Sequence, residues 1–204
     1  MNLHPFLRCA ALMLFAAVAA CAPSTHIESV KAPGYSLTTN RLLVIEQMGA
    51  GATIGGNDIQ KSFSQRFAQL MNSCGVQTVQ EILASPVGAD ETARQNLHNA
   101  IAAHISRYGV NTILIVSHVS SLMQTRNLVP TSTLSSSYEL TLQDVNQTKL
   151  WSSSAKVHLG MMHDGNLPNF DHDGVGNKLA EDVVQQMQQD GVLTRCPAVL
   201  VPHG

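Results

Sequence analysis

Apolar residues recur along the chain at helical spacing in three segments and alternate with polar ones in two others. Leu42-Leu-Val-Ile-Glu-Gln-Met48 is a short apolar run that predicts a strand. In Asp58–Cys74, Ile59, Phe63, Phe67 and Leu70 or Met71 form a helical stripe, with Asn57 or Asp58 as cap. Gly75 can take the left-handed position that stops this helix. Val76–Leu83 predicts a weaker strand, broken at Ser85-Pro-Val-Gly88. A second helix is expected over Glu91–Tyr108, capped by Asp90, with Leu97, Ile101, Ile105 and Tyr108 on one stripe. Gly109 ends it, and Val110–Val116 reads as the most buried strand. The Ser- and Thr-rich stretch 118–133 reads as a surface loop or an irregular edge.

Two alternating strands follow. Tyr138, Leu140 and Leu142 share a face in Ser137–Val145, and Trp151, Ala155, Val157 and Leu159 share one in Leu150–Leu159. Asp144–Lys149 suits a hairpin turn, and Trp151 is placed to fix packing against a helix. The last helix, Asn177–Asp190, carries Leu179, Val183, Val184 and Met187 and stops at Gly191. Cys74-Gly-Val76, Tyr108-Gly-Val110 and Asp190-Gly-Val192 repeat one helix-ending motif, a left-handed glycine followed by a β-branched residue. The expected order is β-α-β-α-β-β-β-α with one strand doubtful. It implies an α/β or α+β fold, with a single mixed sheet of four to five strands and about three helices.

The first residues add a location. After Arg8 comes an uncharged apolar run, Cys9–Ala20, too short for the roughly 20 residues that cross a bilayer and typical of an export signal. Val18-Ala19-Ala20-Cys21 resembles the lipobox of bacterial lipoproteins. That resemblance implies cleavage before Cys21, diacylglycerol on its thiol and acylation of the new amino terminus, palmitate included. Ala22, in place of the Asp that retains many lipoproteins at the inner membrane, implies sorting to the outer membrane, on its periplasmic face. Several acyl chains make a durable anchor where one is marginal. Residues 1–20 are thus expected to be a signal peptide and 21–36 the lipidated cysteine with a flexible tether. A single domain follows over 37–196, then a tail over 197–204.

The 204-residue chain is 13% charged with a formal charge of -2, and its basic residues are scattered. Nucleic acid is therefore not an expected partner. Beyond the lipidated one, Cys74 and Cys196 remain in an oxidising compartment and are expected to form a disulfide, two free buried thiols being the alternative.

Candidate chemistry is sparse. The loop Gly49-Ala-Gly-Ala-Thr-Ile-Gly-Gly56 sits where a phosphate loop would, but has Ile54 where the dinucleotide pattern needs glycine, and lacks Gly-Lys-Ser/Thr. Gly51, Gly55, Gly56 and Asn57 instead suit a partner-docking loop. Between His158 and Gly174 lie three imidazoles, two thioethers and several carboxylates. His158, His163 and His172 are the ligand set to test for copper or zinc, although the spacing matches no zinc motif. Ser117 and His118 are neighbours on a strand and point to opposite faces, so they do not form a nucleophile–base pair. His104 flanks the apolar stripe of the second helix. No catalytic residues are assigned.

Tyr138-Glu-Leu-Thr-Leu-Gln-Asp-Val-Asn-Gln-Thr-Lys-Leu-Trp151-Ser-Ser, with Gly109-Val110 leading into Ile113–Val116, resembles a hairpin found in several lipoprotein families. These are the curli-secretion lipoproteins, the outer-membrane activators of penicillin-binding proteins and a family of small lipoproteins. The resemblance implies a tethered βαβ domain; the pore-forming strand pair of the secretion family is not expected here. The expected function is that of a non-catalytic envelope adaptor or accessory subunit contacting a periplasmic or outer-membrane protein. Expected contacts are the Gly49–Asn57 loop, the Ser120–Thr133 loop and an open sheet edge. A metal- or small-ligand-binding module is the alternative, and a hydrolase the third reading.

Overall fold

The computed structural model of the protein describes residues 24–47, 56–83, 91–126, 131–162 and 171–196. Six strands and three 18-residue helices are found among them: β1 (Ser24–Lys31), β2 (Arg41–Gln47), α1 (Gly56–Ser73), β3 (Gln77–Ile82), α2 (Glu91–Tyr108), β4 (Thr112–Arg126), β5 (Thr131–Asp144), β6 (Lys149–Met162) and α3 (His172–Gln189). The strands form one mixed sheet in the order β1-β6-β5-β4-β2-β3. Strand β2 is parallel to both β3 and β4, while the β4–β5, β5–β6 and β1–β6 pairs are antiparallel.

The continuous apolar run of β2 follows from its place. Leu42 and Val44 join the core beneath α1 and α3, and Leu43 and Ile45 join the smaller core beneath α2. A strand covered on both faces has no reason to alternate. Strands β5 and β6 do alternate: Tyr138, Leu140, Leu142, Trp151, Ala155 and Val157 line the larger core with the buried Ser153, and Glu139, Thr141, Ser152, Ser154 and Lys156 face the other way.

Helices α1 and α3 cross over the larger core. A methyl group on Gly176 would lie 2.0 Å from Ser62 Oγ and 2.4 Å from the Ile59 carbonyl, so only glycine lets the two backbones come this close. The Gly-Val motif recurs as expected: Gly75, Gly109 and Gly191 have positive φ, and Val76, Val110 and Val192 are buried. After α1 and α3 the valine N–H bonds back to Met71 and Met187, closing the last turn and tucking its side chain under the helix.

Four expectations change. The segment 24–31, expected to be tether, is strand β1, so the sheet has six strands and the order begins with an additional β. Its pattern is that of an edge strand, half-buried residues on one side and exposed ones, Val30 among them, on the other. Of the two readings of 118–133, the irregular edge holds for its described residues and the loop does not: β4 runs on to Arg126 with a slip at His118/Ser120, and β5 begins at Thr131. Strand pairing satisfies those polar residues without any helix above them. The β4–β5 pair is thus long, where no long strand pair was expected. Helix α3 starts at His172, five residues earlier than its apolar stripe suggests, because the Asp171 carboxylate caps it through the Gly174 N–H.

Candidate functional site

Strands β2, β3, β4 and β6 run in the same direction, so their carboxyl ends gather at one end of the sheet. Glu46 lies there, fully buried at the close of the apolar run of β2. Its Oε1 accepts from Ser64 Oγ, and Oε2 has no hydrogen-bond partner among the described residues. Burial pushes this carboxyl above its ordinary range, opposed by the hydrogen bond from Ser64 and the nearby Gln60 amide, whose Nε2 makes no hydrogen bond among the described residues. On the α2 side, Ser117 Oγ donates to Gln47 Oε1 at 3.0 Å. Glu46 is an enclosed acid held against α1, without exposed surface on which a substrate could meet it.

Beyond Ser117, β4 has no partner on its β2 side among the described residues, where the last β2–β4 pair is Gln47 with Ser117. The ladder with β5 slips here: His118 pairs with Tyr138 and Ser120 with Ser137, leaving Val119 as a bulge. The bulge turns Ser121 toward His118, and His118 Nε2 and Ser121 Oγ are 2.8 Å apart, with Ser136 Oγ a further 2.8 Å on. The Tyr138 ring meets the imidazole edge-on at 5.4 Å. Burial lowers the His118 pKa, partly offset by the Ser120 backbone, and so favours the uncharged ring. Ser117 takes no part, as expected for a strand neighbour, but a serine three positions on does. Ser121 is bound on both sides by His118 and Ser136, and no carboxylate orients the ring among the described residues. The cluster ties β4 to β5 where the helices end.

A third feature is an open half-face. Helix α2 packs on Leu43, Ile45 and Ile113 and leaves the same face of β5, β6 and β1 uncovered. Glu139, Thr141, Ser152, Ser154, Glu28 and Val30 line an open groove of about 510 Å³ there. Where α2 meets β3, Tyr108 Oη donates to Glu81 Oε1 at 2.6 Å, and His104 Nδ1 lies 3.3 Å from the same oxygen. His104 is therefore a flank residue paired with a carboxylate across the joint.

Cys74 and Cys196 are joined as a disulfide at the opposite end of the sheet. The lipidation candidate Cys21 lies outside the described residues, as do Gly51, Gly55 and His163. Gly56 and Asn57 are the first two residues of α1. His158 stands on the open face of β6 and His172 opens α3. Among the described residues, no three or more His, Cys, Asp or Glu side chains come together as a metal-binding group. No described helix is long and apolar enough to cross a membrane. Sequence reasoning missed Glu46, whose signal was one acid inside an otherwise apolar strand, and the His118–Ser121 pair, which depends on the bulge.

A mixed sheet with two helices on one face and one on the other, closed by a helix-end disulfide, defines the class of fold. No protein-family model matches the chain, and no curated protein matches its sequence. Among solved structures, a single-substitution variant of PelC from Paraburkholderia phytofirmans, described as a dodecamer, is similar at 13% identity. That match covers 80% of this chain and 98% of that one, with a TM-score of 0.50. A minor lipoprotein from Acinetobacter baumannii has 13% identity over 79% of this chain and 99% of its own, with a TM-score of 0.44. Lipoprotein GNA1162 from Neisseria meningitidis has 18% identity over 74% and 99%, with a TM-score of 0.42. At such identities the likeness is one of fold.

Proposed function

We propose that this chain is a non-catalytic envelope lipoprotein, lipidated at Cys21, held on the periplasmic face of the outer membrane and acting by contact with another envelope protein. The observation that carries this reading is the uncovered half-face of β5, β6 and β1. Helix α2 covers β2, β3 and the inner half of β4 on this face, yet here Glu139, Thr141, Ser154 and Val30 form an open floor, with Val30 73% exposed. The floor is polar, with small serines that let a partner approach closely, and suits a contact that forms and releases rather than a permanent core. The lipobox resemblance at Val18–Cys21 supports the anchor. The dodecameric PelC structure of similar fold gives a second reading within the same class, in which the partner is another copy of this chain.

The test is photo-crosslinking in cells. Crosslinkers replacing Thr141 and Ser154 are expected to capture one reproducible partner, while crosslinkers at Gln65 and Gln69, exposed on α1, do not. The mass of the product separates a different protein from a second copy. Equal capture from both sites, or none from the open face, overturns the proposal.

A further inference from the structure

Strand β1 places the anchor. Ser24 pairs with His158 of β6, and β1 runs antiparallel to β6, so the chain enters the domain at the end where β4 and β6 finish. Only Ala22 and Pro23 separate Ser24 from Cys21, and three backbone steps reach at most about 11 Å. A free tether through residue 36 would have allowed about 50 Å.

The same rung of the sheet continues from Ser24 to His158, then Ser135, then Leu122. Leu122 is thus level with the entry point, three strand spacings or about 14 Å to the side. Strand β4 continues four residues further, to Arg126, a rise of about 13 Å that exceeds the reach of the tether. With the strands upright, the end of this arm meets any surface to which Cys21 is fixed.

The arm carries the matching chemistry. Val119 is 51% exposed, Leu122 56% and Met123 47%, within five residues of β4. Leu122 and Met123 are consecutive on a strand and face opposite sides. One protein groove would cover one of them, whereas a fluid apolar medium covers both.

We infer that the outer end of β4 from Leu122 and Met123 onward is a second membrane contact, entering the interfacial region of the bilayer that holds the acyl chains of Cys21. The inference rests on the lipoprotein reading above and deepens it. Two points of attachment about 14 Å apart fix the domain upright, so the open half-face looks sideways along the membrane rather than away from it. Its occupant is lipid.

The test uses full-length protein purified from membranes, with intact mass recording the acyl chains on Cys21. A small fluorophore is attached at Leu122→Cys, at Met123→Cys or, as a control, at Val145→Cys, an exposed apolar position in the hairpin at the opposite end. Single labelling confirms that the native disulfide is intact. The proteins are placed in phosphatidylethanolamine–phosphatidylglycerol vesicles carrying a quencher on the lipid chains. Loss of fluorescence at 122 and 123 with little loss at 145 is the expected result. Acylated protein showing no loss at 122 and 123, or equal loss at 145, overturns the inference while leaving the anchor in place. Crosslinking between copies through 122 without quenching assigns the arm to a second copy and also overturns it. Protein carrying no lipid on Cys21 removes the lipoprotein reading itself, and this inference with it.

Discussion

Trp151 Nε1 donates a 2.6 Å hydrogen bond to Asp190 Oδ2, joining the buried start of β6 to the residue that ends α3. Ser29 Oγ of β1 donates to the same oxygen at 2.7 Å, and Gln186 Nε2 donates to Oδ1 at 3.0 Å. One carboxylate therefore fastens an edge strand, an inner strand and a helix. The only tryptophan of the chain reports on the joint.

Asp190→Ala leaves the Trp151 N–H without its acceptor inside the protein. The expected loss is about 2 kcal/mol, within the range for stranding a buried donor of a charge-assisted bond. Urea unfolding followed by Trp151 emission measures it, and no change in midpoint would mean the joint carries no stability.

Acid acts at the same place. Burial alone would push the Asp190 carboxyl up, but the bonds from Trp151, Ser29 and Gln186, with Lys31 nearby, outweigh it and hold the pKa below its ordinary value. A depressed carboxylate contributes stability that is present above its unfolded value, about 3.9, and is lost as pH falls through the folded value. Asp190→Asn is expected to flatten stability against pH in that acid range, read from melting temperatures at successive pH values.

Glu46 has the opposite sign. Its pKa is raised by burial, so its contribution is full below the unfolded value, about 4.3, and is lost as pH rises through the folded value. Glu46→Gln is expected to raise the melting temperature at pH 7 and to change it little near pH 4. A lower melting temperature at both would show that the carboxylate is satisfied in a way its unpartnered Oε2 does not indicate.

The disulfide spans a sequence separation of 122 residues. For a loop of that length the chain-entropy model gives about 5 kcal/mol, lost on reduction or in Cys74→Ser with Cys196→Ser. Thermal unfolding with and without reductant checks this.

Gly176→Ala is expected to cost about 1–3 kcal/mol or more, because the added methyl meets the α1 backbone at Ile59 and Phe63 as well as Ser62. Gly174→Ala meets the Asp171 side chain first, which can rotate away at the cost of a cap. Comparing the two in one unfolding series separates helix crossing from helix capping.

The elements that sequence made legible are those with strong apolar contrast. Leu42–Ile45, the Ile59–Phe63–Phe67–Met71 stripe and the three Gly-Val joints all appear where their residues place them. Strand β1 was hidden because Ser24–Lys31 is an edge between Pro23 and Pro33, with Ile27 its only apolar residue turned toward the core. The outer half of β4 was hidden for a related reason: no helix covers it, so its serines and threonines carry no alternation. The early start of α3 was masked by Gly174 and Gly176, which read as breakers although one serves a cap and the other a crossing. The His118–Ser121 pair was out of reach, since a bulge changes which side chains meet without leaving a mark in spacing.

Strand β1 also decides how the domain bears mechanical load. Under the anchoring proposed at Cys21, tension between a membrane and a bound partner would enter at Ser24 along the strand axis. Its eight pairs with β6 are then stressed together in shear, because ladder hydrogen bonds lie across the strand. They cannot be peeled apart one at a time from that end. If that proposal holds, an edge strand of modest burial serves as a mooring, its whole ladder resisting a pull that would otherwise open it pair by pair.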